Sequence, residues 1–236
     1  MLPDAFLART AADIGRPTLA VLPVGAFEQH GPHLPLATDS LIAGALAAGL
    51  AERLGALLLP TLPVSCSQEH AGFPGTVWLA ANTLVAVISD ICASLVHAGV
   101  ERLAIVNAHG GNLVLAHFAR EANLEGPRVW LGPGRHIQEA AFAAAGIETS
   151  VHDDMHAGEY ETSVLLHCHS NLVRMEDATD ELTERPLLAV RGLTAYSRSG
   201  TVGRPTRATA DKGRAVLTAM VATMAVEVRE LFSLEA

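Results

Sequence analysis

Short apolar runs alternate with longer helical stretches along this chain. Thr18–Val24 is apolar, with several β-branched residues, and is bounded by Pro17 and Gly25, which predicts a buried strand. A polar, Pro-rich loop follows from Phe27 to Thr38. Asp39 and Ser40 then precede a helical stretch to Leu54, with Gly55 just past its end, the expected cap asymmetry. Leu57–Val64 reads as a second strand and Gly75–Ala80 as another short one. Asn82 is placed to cap a helix that runs to His97 and stops at Gly99. Arg102–Val106 is a strand, and His109-Gly110-Gly111-Asn112 is the turn that leaves it. Leu113 to Glu125 reads as a helix ended by Gly126-Pro127, and Arg128–Leu131 as a strand.

Residues 132–158 break the rhythm and predict an excursion with one short helix over the sheet edge. Glu159–His167 reads as a buried helix, 176–207 as irregular, and Ala208–Phe232 as a terminal helix. Strand and helix in alternation predict an α/β fold: one three-layer α/β/α domain over residues 1–236, with a mainly parallel sheet. The chain length suits one such domain, at 236 residues. The apolar C-terminal helix is consistent with a buried interface.

Composition narrows the function classes. Half of the residues are hydrophobic (50%) but only 4% are aromatic, so Ala, Val and Leu carry the core. Lys and Arg number 16 against 25 Asp and Glu, a net charge of −9. That balance excludes nucleic acid and anionic membrane surfaces as natural partners. The apolar run Leu41–Ala51 is about half a membrane span and is closed by Glu52 and Arg53. The three cysteines, Cys66, Cys92 and Cys168, have no metal-ligand spacing and no disulfide pattern. Met1-Leu2-Pro3-Asp4 lacks the basic start of a signal peptide. The expected location is therefore cytoplasmic.

The chemistry lies in histidine–carboxylate clusters at element ends. Glu28 and His30 are two apart in an extended segment and can face one point. Asp39 stands at a helix start, where the macrodipole favours a carboxylate. His109 leaves the C-terminal end of a strand, where open α/β sheets bind ligands. His156, Glu159 and Glu161 gather at the start of the next helix. Imidazoles and carboxylates without thiolate suit Zn²⁺, Mn²⁺ or Fe²⁺. Glu28, His30, Asp39, His109 and Glu161 exceed the needs of one tetrahedral ion, and a shared Asp between two ions about 3.5–4 Å apart would use them all. His97, His117, His136, His167 and His169 read as surface or packed residues, while His33 and His70 sit in loops near the clusters. Cys66 reads as buried, and Ser65 and Ser67 lack the Gly-x-Ser-x-Gly setting of a nucleophile.

Four segments resemble the creatininase (creatinine amidohydrolase) family: Val24-Gly-Ala-Phe-Glu-Gln-His-Gly-Pro-His-Leu-Pro-Leu-Ala-Thr-Asp39, Glu69-His-Ala-Gly-Phe-Pro-Gly-Thr76, Val106-Asn-Ala-His-Gly-Gly-Asn112 and His156-Ala-Gly-Glu-Tyr-Glu-Thr-Ser163. Gly203-Arg-Pro-Thr and the downstream Gly213 are similar to its C-terminal segment. The resemblance implies a creatininase-like fold, two divalent ions, hydrolysis of a C–N bond and a homo-oligomer. It implies Glu28, Asp39 and His109 around one ion, His30 and a bridging Asp39 at the other, and His156 as the catalytic histidine. Creatininase has an acidic residue where this chain has Gly111, and Glu161 is the candidate to replace it. Creatininase also has a tryptophan where this chain has His152, which points away from creatinine as substrate.

The expected function is a metal-dependent amidohydrolase that cleaves a cyclic amide, formamide or peptide bond with a metal-bridging hydroxide. Donors near Gly110 and Gly111 would hold the oxyanion, and His156 would carry a proton at an ordinary pKa near about 6.5. Glu159 is the candidate to orient His156, set against a plain solvated carboxylate at a helix start. A peptidase of the mycofactocin type and a metal-bound, non-catalytic subunit are the competing readings. A nucleotide-binding protein is disfavoured, because no Gly-x-Gly-x-x-Gly follows a strand.

Overall fold

The computed structural model describes residues 9–235. The Met1–Asp4 stretch, read above as carrying no signal peptide, lies outside them. Strand β1 (Leu19–Val24) leads through a loop to helix α1 (Thr38–Leu54) and the two-residue strand β2 (Leu57–Leu58). Helix α2 (Ala81–His97), strand β3 (Arg102–Asn107), helix α3 (Val114–Ala122) and strand β4 (Val129–Gly132) follow. Helices α4 (Arg135–Ala145), α5 (Glu159–Cys168) and α6 (Ala210–Phe232) complete the long elements. The four strands pair in parallel in the order β2-β1-β3-β4. An α/β fold with a parallel sheet was expected, and one is found.

The layers follow from the strand pleat, which sends alternate residues to opposite faces. Leu19, Val21, Ala104, Val106 and Trp130 join one core with residues of α1, α4, α5 and α6. Ala20, Leu22, Val24, Leu103, Ile105 and Val129 join the other with residues of α2 and α3. The apolar stripe of α6 is used inside the chain, against α5, α4 and α1. Among the described residues no helix is long and apolar enough to cross a membrane.

Four local expectations change. The Leu57–Val64 strand ends at Leu58. The chain still runs beside β1, with Leu59 N–H donating to Val21 O (2.9 Å) and Leu62 N–H to Pro23 O (2.9 Å). Pro60 and Pro63 have no N–H to give, so the regular ladder breaks. Gly75–Ala80 contributes only a single antiparallel bridge, Val77 to Phe27. Helix α2 is capped from Ala80 rather than Asn82, whose Oδ1 accepts from the neighbouring Thr83 N–H. The excursion after β4 does hold one helix, α4, but it is packed into the core through Ile137, Ala141 and Phe142.

The strand order reverses between β1 and β3. The chain moves to one side after β1 to place β2, and to the other to place β3 and β4. At such a switch point the connections leave in opposite directions and open a crevice at the strand ends. Val24 pairs with Asn107 at that end, so the loops beginning at Gly25 and Ala108 start side by side.

Candidate metal centre at the switch point

The first loop carries Glu28 and His30 directly from β1. Glu28 N–H donates to Leu36 O (3.0 Å), which folds the loop back toward α1. Gly25 lets α1 begin against the strand end, because a Cβ there would fall 2.4 Å from Ser40 Cα. The contact puts Asp39, in the first turn of α1, beside Glu28 and His30. The loop after β3 is fixed by two asparagines. Asn107 Nδ2 donates to His109 O (2.8 Å), and Asn112 joins Asn107 Oδ1 (2.9 Å) to Cys66 N–H (3.0 Å). The third segment enters at α5. Asp154 accepts from the amides of Glu159 (2.6 Å) and Tyr160 (2.7 Å), and Ala157 N–H donates to Glu161 Oε2 (2.6 Å).

These segments converge on one buried cluster. Glu28, Asp39 and His109 lie close enough to share an ion, and so do His30, Asp39 and Glu161. A third set joins Glu28, His30 and His156. All six residues are buried. Asp39 belongs to two sets, with Oδ1 3.1 Å from His30 Nε2 and Oδ2 3.2 Å from His109 Nδ1. Glu161 closes the second set, and Gly111 supplies no ligand to it.

The donor atoms fit a cation. His30 Nδ1 pairs with Glu28 O (3.1 Å), His109 Nε2 with Cys66 O (2.6 Å) and His156 Nε2 with Gln29 O (2.6 Å). Each ring thus spends its outer N–H on a backbone carbonyl and turns its other nitrogen to the carboxylates, as metal-ligating histidines do. Both oxygens of Glu28 and Oδ2 of Asp39 are buried with no hydrogen-bond partner. Buried carboxylate oxygens are costly unless paired or ligating a metal.

The electrostatics agree. Burial works against a charged His30, but Asp39, Glu161 and Glu28 outweigh it and raise its pKa to about 10. Burial likewise opposes a charged His109, which Glu28 and Asp39 hold well above the usual range. Burial pushes Glu161 up to about 8, against the pull of His30. Burial and the neighbouring His30 and His70 push His156 well below the ordinary histidine value. The expectation of an unperturbed His156 is thereby corrected.

Glu159 does not join the cluster. It is fully buried, neither solvated nor beside His156. Its Oε1 accepts from Lys212 Nζ (2.6 Å), and its Oε2 accepts from Thr149 Oγ1 (2.7 Å) and Thr149 N–H (3.1 Å). Three more residues stand near the cluster: Gln29 and Glu69, which were not singled out from the sequence, and His70, which was expected only to sit in a loop nearby. Gln29 Nε2 lies 2.9 Å from His70 Nδ1 and 3.2 Å from Gly200 O. His70 Nε2 is 3.2 Å from Glu28 Oε1, and Glu69 Oε1 is 3.6 Å from His109 Nε2. All three stand in the motifs quoted above, and that was the available signal. His33 serves the fold, linking Thr162 Oγ1 (3.0 Å) and Arg174 N–H (2.9 Å).

A cavity of about 490 Å³ opens onto the cluster. Asp39, Glu69, His70, His109, His156 and Glu161 line its floor and sides, and Gly110 and Gly111 border it. Leu113, Leu188 and Val190 form an apolar wall. Neither tryptophan reaches it, and His152 is exposed near Glu184, 3.9 Å away.

The family model for creatininase, described as creatinine amidohydrolase, matches residues 8–228. The chain belongs to the creatininase family. A mycofactocin precursor peptide peptidase of Mycobacterium ulcerans (strain Agy99) is 36% identical over 220 residues, covering 85% of this chain and 80% of the relative. The creatinine amidohydrolase of Pseudomonas putida is 30% identical over 231 residues, covering 90% of this chain and 89% of that one. A solved structure named Creatininase Mn superposes with a TM-score of 0.76 at 29% identity, covering 96% of this chain and 95% of the other. As a creatininase-family chain, this protein is an amidohydrolase, a hydrolase of C–N bonds. Its cluster has the donor chemistry of a divalent-metal site.

Proposed function

We propose that the chain is a dinuclear-metal amidohydrolase whose substrate is a peptide or a small peptide-like amide. The observation that carries this reading is the double membership of Asp39, one oxygen toward His30 and the other toward His109. Glu28, Asp39 and His109 would hold one ion, and His30, Asp39 and Glu161 the other. Zn²⁺, Mn²⁺ and Fe²⁺ all suit this donor set. Bound there, two divalent ions supply Lewis acidity toward the carbonyl and a water of lowered pKa.

The remaining steps belong to the chain. His156 has Nε2 tied to Gln29 O, so Nδ1 is its working atom. Burial lowers its pKa, so the ring rests neutral with a free Nδ1 lone pair and readily gives up to the leaving nitrogen any proton it takes. The backbone at Gly110 and Gly111 borders the cavity where an oxyanion would form. Glu159 has no part in this scheme, because its carboxylate is committed to Lys212 and Thr149.

The peptide class is supported by the 36% identity to the peptidase and by the lack of tryptophan in the cavity. We further propose one catalytic unit per chain, a cytoplasmic location and a homo-oligomeric assembly. Metal content per chain, followed by a hydrolysis panel of creatinine, formylated aminopyrimidines and short peptides, tests the reading. Two ions with turnover of a peptide are expected. One ion or none after reconstitution would overturn the dinuclear assignment, and turnover of creatinine alone would overturn the substrate class.

A further inference from the structure

Glu69 stands on the short 3₁₀ turn Gln68–His70, and its side chain lines the cavity beside His109. It belongs to none of the three candidate metal sets. Its closest cationic partner is His109 Nε2 at 3.6 Å, and that nitrogen already pairs with Cys66 O at 2.6 Å. No lysine or arginine lines the cavity among the described residues. The carboxylate is about one-fifth exposed, at 21%, and that exposure is toward the cavity. Among the described residues Glu69 therefore has His109 as its one cationic neighbour, and a metal on Nδ1 of that ring would leave the imidazole neutral and the carboxylate without a counter-charge.

The backbone reserves this place for it. A Cβ at Gly111 would fall 2.0 Å from Glu69 Oε1 and 2.4 Å from His109 Nε2, so a side chain at 111 would displace the carboxylate and the imidazole beside it. Apolar side chains stand across the mouth, with Leu113 73% and Val190 82% exposed. A carboxylate that a bound ligand shields from water is costly unless the ligand brings a partner for it. Bound ions would neutralise Glu28, Asp39 and Glu161 but would leave Glu69 unmatched.

We propose that Glu69 is a specificity residue that accepts N–H groups from a positively charged nitrogen of the substrate. The inference rests on amide hydrolysis at the cluster, as proposed above. The preferred substrate is then an amide with a cationic nitrogen near Glu69 and an apolar group against Leu113 and Val190.

Two probes that share a backbone and differ by one charge test this: alanyl-alaninamide and its N-acetylated form. Each is titrated by calorimetry into metal-loaded protein. Wild type is expected to bind the charged probe about tenfold or more tightly than the neutral one, the size of one charge-assisted hydrogen bond. Glu69→Gln is expected to shrink that preference to less than about twofold, with metal content and neutral-probe affinity unchanged. No preference in wild type, a preference kept by Glu69→Gln, or loss of metal in Glu69→Gln would each overturn the proposal. Metal content of the wild type, measured separately, shows whether the proposed function has failed instead.

Discussion

Asp39 Oδ1 lies 3.1 Å from His30 Nε2, with both side chains buried. The other oxygen of Asp39 faces His109, so one carboxylate joins two histidines. Asp39→Asn keeps the shape but replaces one oxygen by an amide N–H donor, which cannot ligate. The variant is expected to lose both ions together, with affinity falling by more than about a hundredfold, beyond what loss of a mere outer-shell partner costs. Metal analysis after equilibrium dialysis checks this, and retention of both ions would show that Asp39 is not shared.

Chelation should weaken the fold. The candidate ligands come from three separate stretches, at 28–39, 109 and 161, so bound metal ties together segments that unfolding pulls apart. Ligand present at a hundredfold excess over its Kd stabilises by about 2.7 kcal/mol. For a domain of this size that corresponds to a fall in Tm of about 5–10 °C on metal removal. A calorimetric scan with and without chelator measures it, and an unchanged Tm would argue against metal at the cluster.

Metal affinity should rise with pH. His30 has its pKa raised to about 10 in the metal-free cluster, and His109 is raised too, so both hold protons at neutral pH. A cation must displace them, and each displaced proton gives about a tenfold gain in affinity per pH unit. The gain continues until His30 titrates. Titrations in buffers of different ionisation enthalpy should reveal proton release, and its absence would defeat the prediction.

Glu159 should matter for folding and not for metal. Burial raises its pKa, but Lys212 and Thr149 outweigh that and hold it below the usual glutamate value. Its folded pKa is depressed, so its contribution is present above the unfolded pKa of about 4.3 and is lost as pH falls through the lower folded value. Glu159→Gln should therefore lower Tm at pH 7 and differ less from wild type in strong acid. A loss of about 1–3 kcal/mol is expected for a buried hydrogen-bonded charge left without its match. Unchanged metal content in the same variant would separate this role from one at the cluster.

Much of the fold was legible, because β1 and β3 are apolar runs bounded by turn residues and α1 ends at a glycine. The short β2 was overread, because apolar Leu59 and Leu62 hid the effect of Pro60 and Pro63 on the ladder. At the cluster, every proposed metal ligand came to one place, since each follows a strand end or opens a helix. Glu159 was misread for a reason of helix geometry. It lies two residues before Glu161 on α5, about 200° around the axis, so a helix that turns Glu161 inward turns Glu159 away. Glu69 was not singled out, and His70 was placed only near the site, because they lie on an irregular turn, where no period tells a side chain which way to face.

Apart from Leu113, the cluster and the apolar wall of the cavity have different origins in the chain. The cluster hangs from strand ends and helix starts, whereas Leu188 and Val190 belong to a single helical turn, Leu188–Arg191, set in the irregular segment before α6. No strand depends on that turn for its pairing. Selection could therefore reshape the wall repeatedly, and so change diet, while the reactive centre stayed as it was. An engineer seeking a new substrate would begin by randomising 188–192 and leave residues 28–39 alone.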